Sequence, residues 1–269
     1  MNTFLTGDVL ETLKTLPNES VYCCVTSPPY FGLRDYGVEG QIGVEPTPDE
    51  YVNKLVNAFR EVKRVLRKDG TLWVNLGDSY DAKNLIGIPW RVAFALQADG
   101  WFLRSDIVWD KPNAMPESTR DRPTKGHEYI FLLSKSKKYY YDADVIKEPA
   151  KWERWGKQTT KKRNPGTMWW VPDKTKEELT SRTTKNKRTV WRVPTKPFKG
   201  AHFAVFPPDL IRPCILAGSP IGGQVLDPFG GSGTVAMVAN ELGRDSIYID
   251  LNPEYTEMAK VRQEGGTKL

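Results

Sequence analysis

Gln224-Val225-Leu226-Asp227-Pro228-Phe229-Gly230-Gly231-Ser232-Gly233-Thr234 opens as a short apolar strand, passes through a glycine-rich loop and runs into the helical pattern Val235 to Leu242. Such a loop lets a ligand approach the backbone closely at the carboxyl end of a strand, where open α/β sheets bind their cofactors. The spacing is not G-x-G-x-x-G, and no G-x-x-x-x-G-K-[ST] is present, so a dinucleotide or a nucleoside triphosphate is not the favoured ligand. Asp250, sixteen residues beyond Thr234, ends the next strand, where a carboxylate can accept both ribose hydroxyls. The combination points to a nucleoside-bearing ligand. The competing use of the same glycines is a tight strand-to-helix turn with no ligand at all.

Outward from this loop, short apolar runs alternate with helical patterns, the signature of strands joined by crossover helices in a mostly parallel sheet. The expected strands are Thr3 to Thr6, Val21 to Thr26, Thr71 to Leu76, Phe102 to Trp109, Gln224 to Asp227 and Ser246 to Asp250. Tyr51, Leu55, Val56, Phe59, Val62, Val65 and Leu66 recur at helical spacing, which predicts a helix over 48–67 capped by Lys68-Asp69-Gly70. A second helix is expected from Pro89 to Ala98, stopping at Gly100. Tyr129 to Leu133 and Tyr139 to Tyr141 are strand-like and separated by a stretch too short for a crossover, which predicts an antiparallel hairpin at the sheet edge.

The early strand Val21 to Thr26 leads into Ser27-Pro28-Pro29-Tyr30, which therefore belongs at the same carboxyl edge. Two successive prolines hold φ near −65° and donate no backbone hydrogen bond, leaving their carbonyls available in a rigid turn. An exocyclic amino group whose lone pair is delocalised into a base ring must become more tetrahedral before it can attack a methyl sulfonium. A side-chain acceptor and a proline carbonyl, each taking one N–H, favour that geometry, and Tyr30 is placed to stack on the base. The plain alternative is a proline-rich turn capping a strand.

The 269 residues are ample for a core without disulfides or metals, and no apolar run approaches the ~20 residues of a membrane helix. Met1 to Leu10 has no basic region followed by an apolar stretch, so no secretory signal is expected. Three cysteines (Cys23, Cys24, Cys214) without C-x-x-C spacing and two histidines (His127, His202) do not make a zinc set. The expectation is a soluble protein of a reducing, cytoplasmic compartment with no metal site. Net charge is +6, but residues 147–199 carry 16 Lys and Arg against five Asp and Glu, whereas the remainder has 23 against 28. The same segment holds Trp152, Trp155, Trp169, Trp170 and Trp191, five of the nine tryptophans. Interleaved cations and aromatics suit a surface that meets phosphates and bases, with a solvated insertion as the alternative.

Ser27-Pro28-Pro29-Tyr30 and Asp227 to Thr234 resemble motifs IV and I of the DNA amino-methyltransferases, which move a methyl group from S-adenosylmethionine to N4 of cytosine or N6 of adenine. The catalytic motif precedes the cofactor loop, with the basic segment between them, which is the permuted order of the beta class. Thr6-Gly7-Asp8 matches the motif whose acid contacts the cofactor adenine, and Tyr248 to Pro253 the motif whose acid holds the ribose. His202-Phe203-Ala204-Val205-Phe206-Pro207 resembles motif X, beside the methionine portion; Gly77-Asp78 and His127-Glu128-Tyr129 match further motifs.

The resemblance implies a Rossmann-like α/β sheet of seven strands, with catalytic residues Ser27, Pro28, Pro29 and Tyr30. It implies cofactor-binding residues Asp8, His202, Phe206, Asp227, Phe229, Gly230, Gly231, Ser232, Gly233, Thr234, Asp250 and Asn252. The chain divides on this reading into a catalytic half (1–146), a target recognition region (147–200) and a cofactor-binding half (201–269). Lys161, Lys162, Arg163, Lys185, Lys187 and Arg188 are the expected DNA-binding cations. Double-stranded DNA is the implied partner, a cognate restriction endonuclease would act separately, and monomer and homodimer both stay open. Ser at the first position of the tetrapeptide is the family's usual choice for cytosine and Asp for adenine.

Rival readings attach to particular residues. Pro213-Cys214 has the form of the nucleophile of C5-cytosine methyltransferases. No Glu-Asn-Val accompanies it, and Leu210 to Leu216 reads as an apolar helix with a core cysteine. An RNA or protein-glutamine methyltransferase is the second enzyme reading, against which Ser27 stands where Asn is usual. The non-enzyme reading is a basic DNA-binding protein with a degenerate cofactor fold.

Overall fold

The computed structural model describes residues 2–35, 37–150, 183–196 and 206–263. The chain forms two compact units, one of Met1–Asp142 with Thr189–Leu269 and the other of Ala143–Arg188. In the larger unit the strands are β1 (Asn2–Thr6), β2 (Val21–Thr26), β3 (Leu66–Leu76), β4 (Tyr80–Asp81), β5 (Asn84–Leu85), β6 (Phe102–Asp110) and β7 (His127–Ser134). The smaller unit holds β8 (Glu148–Pro149) and β9 (Thr184–Lys185), paired antiparallel. β10 (Val190–Arg192), β11 (Gln224–Asp227) and β12 (Asp245–Asp250) return to the larger unit.

Among the described residues the main sheet has eight strands, in the order β1-β12-β11-β2-β3-β7-β6-β10. All pairings are parallel except those of β7, which runs antiparallel to both β3 and β6. The expected α/β class with a mostly parallel sheet is what the chain adopts. The eighth strand is the short β10 at the open edge, inside the stretch assigned from the sequence to target recognition. Its Trp191 is buried in the sheet and is therefore not one of a row of surface aromatics.

The helices are α1 (Val9–Lys14), α2 (Pro48–Val65), α3 (Ile88–Ala98), α4 (Pro208–Gly218), α5 (Thr234–Glu241) and α6 (Pro253–Gln263). Thr47 caps α2 by accepting from the Glu50 N–H, Pro48 opens the first turn, and Tyr51, Leu55, Phe59 and Val62 line its buried stripe. That stripe packs with Leu72, Val74 and Leu76 of β3 in the core. The helix ends at Val65 rather than at Lys68-Asp69-Gly70, because Glu19 and Ser20 N–H groups take the Arg64 and Val65 carbonyls and Leu66 already has extended backbone. Residues 67–70 instead lie within β3, where its pairing with β2 shifts register.

The antiparallel hairpin exists with other partners than expected. β7 pairs with β3 and β6, inside the sheet, and Tyr139 to Tyr141 form no strand. The Tyr140 N–H goes to the Asp69 carbonyl, and the Tyr141 ring stacks on Trp73 with centroids 6.3 Å apart. Aromatic residues that look like a strand here cover the sheet instead. Cys214 is fully buried on α4, as the core reading of that helix requires.

Candidate active site

In a parallel sheet every strand delivers its carboxyl end to the same edge, and the antiparallel β7 brings its amino end there. Gly7 and Asp8 after β1, Asp250 of β12, the loop after β11, Ser27 after β2, Asn75 of β3, Lys111 after β6 and Glu128 of β7 therefore converge. They line one cavity of about 830 Å³. Topology thus joins two motifs that lie roughly 200 residues apart in the chain.

The glycine loop is held from beneath. The Tyr248 hydroxyl donates to the Gly231 carbonyl at 2.7 Å, and a Cβ on Gly230 would fall 2.1 Å from the Tyr248 ring. Only glycine lets the loop lie on that ring. Asp250 Oδ2 accepts from Gly231 N–H and Oδ1 from Asn252 N–H, both at 2.8 Å, and burial raises its pKa. Asp250 also lines the cavity, and its two oxygens together offer about four acceptor sites, more than its backbone partners use. Ser232 and Thr234 hydroxyls both accept from Arg262 of α6 at 2.9 Å, a clamp that no local pattern announces. Gly233 does not line the cavity: it caps α5 at φ 75°, and a Cβ there would meet Ala259 at 2.6 Å. Its glycine is required by helix packing.

Asp227, expected as a ligand residue, is buried beneath the loop and outside the cavity lining. Its Oδ1 accepts from the Thr26 hydroxyl at 2.7 Å and from Phe229 N–H at 3.2 Å, tying β11 to β2. Burial pushes its pKa up to about 7, with Asp250 adding to the rise and the two hydrogen bonds opposing it. A carboxyl whose folded pKa exceeds its unfolded value binds more protons when folded, so its contribution to stability is present at low pH and lost as pH rises from about 4 to about 7. Asp227→Asn imitates the neutral acid. The variant is expected to melt higher than the parent at pH 8, by a margin that shrinks as pH falls and approaches zero at about pH 4; equal margins at pH 8 and pH 4 in thermal melts would contradict the burial account.

Asp8 is the exposed N-cap of α1, its Oδ1 accepting from Leu10 and Glu11 N–H groups, and it also lines the cavity. Phe206, Phe229 and Asn252 line it too, whereas His202 lies outside the described residues. Asp78 serves as a cap, accepting from Gly87 and Ile88 N–H groups at the start of α3.

The tetrapeptide turn is more engaged than its sequence suggests. The Tyr51 hydroxyl donates to the Pro29 carbonyl at 2.8 Å, which leaves Pro28 with the carbonyl to which no described residue donates. The Tyr30 ring lies against Gly77, where a Cβ would come within 2.4 Å, and its hydroxyl donates to Glu128 Oε2 at 2.7 Å. Asn75 Nδ2 donates to the same Tyr30 oxygen at 2.6 Å and to Glu128 Oε2 at 2.9 Å, while Lys111 pairs with Glu128 Oε1. Burial holds the Tyr30 phenol well above its usual pKa, with the Glu128 charge adding to the effect. Asn75, Lys111 and Glu128 were not among the expected site residues; the acid in His127-Glu128-Tyr129 and the lysine directly after a strand end were the available signals.

Residues 21–261 match the DNA methylase family of N6 and N4 amino-methyltransferases. The chain belongs to that family. Type II methyltransferase M.Cfr9I of Citrobacter freundii is 49% identical over 98% of this chain and 88% of its own length, and M.SmaI of Serratia marcescens 48% over 96% and 89%. Among solved structures, the PvuII DNA methyltransferase (cytosine-N4-specific) superposes with a TM-score of 0.71 at 21% identity, covering 97% of this chain and 87% of that one. A modification methylase of Thermus thermophilus, complexed with S-adenosyl-L-methionine, gives 0.68 at 24% over 100% and 95%. The protein is thus a Type II DNA amino-methyltransferase, and its family uses S-adenosylmethionine.

In this DNA methylase the described residues include no helix long and apolar enough to cross a membrane and no cluster of His, Cys, Asp and Glu able to hold a metal. Of the basic residues expected on DNA, Lys161, Lys162 and Arg163 lie outside the described residues. Lys185 and Arg188 sit in the smaller unit, where both pair with Glu148, at 3.4 and 2.5 Å.

Proposed function

We propose that this methylase transfers the methyl group to N4 of cytosine, on a base swung out of double-stranded DNA. The observation that carries the reading is the shared cavity, in which Ser27-Pro28-Pro29-Tyr30 faces the glycine loop and Asp250. The amino group of a stacked, paired base is out of reach of a site at a sheet edge, so the base must leave the helix. Bound S-adenosylmethionine supplies an electrophilic methyl group on a sulfonium centre.

The chain's own residues then divide the work. Asp250 takes the ribose hydroxyls, Asp8 the adenine, and the Gly230–Gly231 backbone with Asn252, Phe206 and Phe229 encloses the rest. The loop and its acid are intact, and the cradle keeps unspent acceptor capacity on Asp250, which favours an enzyme over a degenerate DNA-binding fold. Ser27 Oγ and the Pro28 carbonyl each accept one N–H of the target amino group, drawing its nitrogen toward tetrahedral geometry, and the Tyr30 ring stacks on the base. Ser27 in the first position favours cytosine over adenine.

Residues 147–199 bind the phosphates on this reading. Neutralising Lys161, Lys162, Arg163, Lys185, Lys187 and Arg188 together is expected to weaken DNA binding and to flatten its salt dependence by roughly 0.9 log unit for each phosphate no longer neutralised. Lys185 and Arg188 both pair with Glu148, so their removal also frees that carboxylate. An unchanged salt slope would move the DNA surface elsewhere. The base and the site are tested together by methylating mixed-sequence DNA and reading it with modification-sensitive sequencing. Modified cytosine at one recurring sequence supports the proposal, and modified adenine would transfer it to N6.

A further inference from the structure

The hydrogen bonds around Tyr30 have a direction. Ser27 Oγ donates to the Tyr30 hydroxyl at 3.4 Å, and that hydroxyl donates to Glu128 Oε2 at 2.7 Å. A donor chain therefore starts at the serine, which lines the cavity, and ends on a carboxylate whose side chain is 14% exposed. Lys111 occupies the other oxygen of that carboxylate, and Asn75 Nδ2 braces both the tyrosine and the glutamate, so the tyrosine–glutamate end of the chain is held in one geometry while Ser27 meets it more loosely. Such an arrangement exceeds what a structural tyrosine needs, because the ring is already seated against Gly77.

We propose that Ser27, Tyr30 and Glu128 form a proton relay that carries the amino proton of the target base to Glu128. This rests on the proposed reading of the tetrapeptide as the site of transfer. In the step, the nitrogen lone pair forms the N–C bond while the S–C bonding pair stays on sulfur, leaving S-adenosylhomocysteine. One N–H proton then has to leave the nitrogen. Ser27 Oγ accepts it as its own proton passes to the Tyr30 oxygen, and the tyrosine proton passes to Glu128 Oε2. One proton moves in total and Lys111 keeps its own. A nitrogen whose lone pair has been consumed is a strong acid, so a carboxylate is basic enough to receive its proton. Neutral tyrosine, as its buried phenol requires, serves as donor and acceptor in turn. When product leaves, water takes its place in the cavity that Glu128 lines and carries the proton away.

Tyr30→Phe keeps the stacking ring and removes only the hydroxyl; Glu128→Gln keeps the shape and removes the acceptor. The test is single-turnover transfer to a duplex carrying the recognised site, with cofactor and DNA saturating. Each variant is expected to be slower by about 10² or more, within the usual range for a general base. The double variant should be no slower than the slower single one. Cofactor affinity and the fluorescence of 2-aminopurine at the target position should match the parent, which a loss of structure or of base flipping would not allow. Parent-like rates in Tyr30→Phe, or effects that multiply in the double variant, overturn the relay. Should Glu128→Gln fail to fold, the pair Ser27→Ala and Tyr30→Phe decides by the same criterion. If Ser27→Ala itself transfers at the parent rate, the placement of catalysis at the tetrapeptide fails, and the relay with it.

Discussion

Ser27→Ala is expected to slow single-turnover methyl transfer by about 10² to 10³, with cofactor affinity and melting temperature close to the parent's. The size follows from removing one fixed acceptor that acts only as charge develops on the attacking nitrogen, by analogy with loss of an oxyanion-hole donor at about 2.7–4 kcal/mol. The specificity follows from position. Ser27 touches Tyr30 and Asn75 only at 3.4 and 3.5 Å, so its removal breaks no strong structural contact, and it belongs to neither the glycine loop nor Asp250. Ser27→Asp is the complementary variant, because it lengthens and charges the acceptor in place. An altered rate or an altered cytosine-to-adenine preference is the expected result. Parent rates in the alanine variant would reopen the case for a cysteine nucleophile, yet Cys214 is fully buried on α4, and Cys23 and Cys24 are buried too, with burial raising both of their thiols.

Asp250→Ala is expected to lower cofactor affinity by about 10² to 10⁴, because two hydrogen bonds to a charged acceptor disappear at about 1.5–3 kcal/mol each. Two effects combine in this variant. The ribose loses its acceptor, and the Gly231 and Asn252 N–H groups lose theirs, so the loop is released as well. Asp250→Asn separates them, since its amide oxygen can still accept from one backbone N–H. Asparagine should bind cofactor better than alanine and worse than aspartate, and DNA affinity should follow neither change. Unchanged cofactor affinity in a folded alanine variant, measured by calorimetry, would remove Asp250 from the site.

What the sequence made legible was local. The strand, loop and acid at Gln224 to Asp250 and the turn at Ser27 to Tyr30 are each contiguous, and parallel topology alone is enough to bring their carboxyl ends together. The cluster of Asn75, Lys111 and Glu128 was not legible, because it draws single residues from three strands or their ends and its meaning lies in hydrogen bonds to Tyr30. The same limit explains the misplaced hairpin. Tyr139 to Tyr141 have strand composition, but the partner for Phe102 to Asp110 is His127 to Ser134, and the tyrosines are captured by Asp69 and Trp73. Within the loop, local reading assigns Asp227 and Phe229 to Thr234 alike to the cofactor. Packing separates them into cavity-lining Gly230 and Gly231, a buried tie at Asp227, and a helix contact at Gly233 against Ala259.

The central claim is that the methyl group moves to an exocyclic amino nitrogen at the Ser27-Pro28-Pro29-Tyr30 turn. Nucleoside mass spectrometry of DNA methylated with a deuterated methyl donor tests it most directly, run on the parent protein and Ser27→Ala side by side. Labelled N4-methylcytosine from the parent, reduced by about 10² or more in the variant at equal times, is the predicted result. Labelled 5-methylcytosine, or equal product from both proteins, would contradict it.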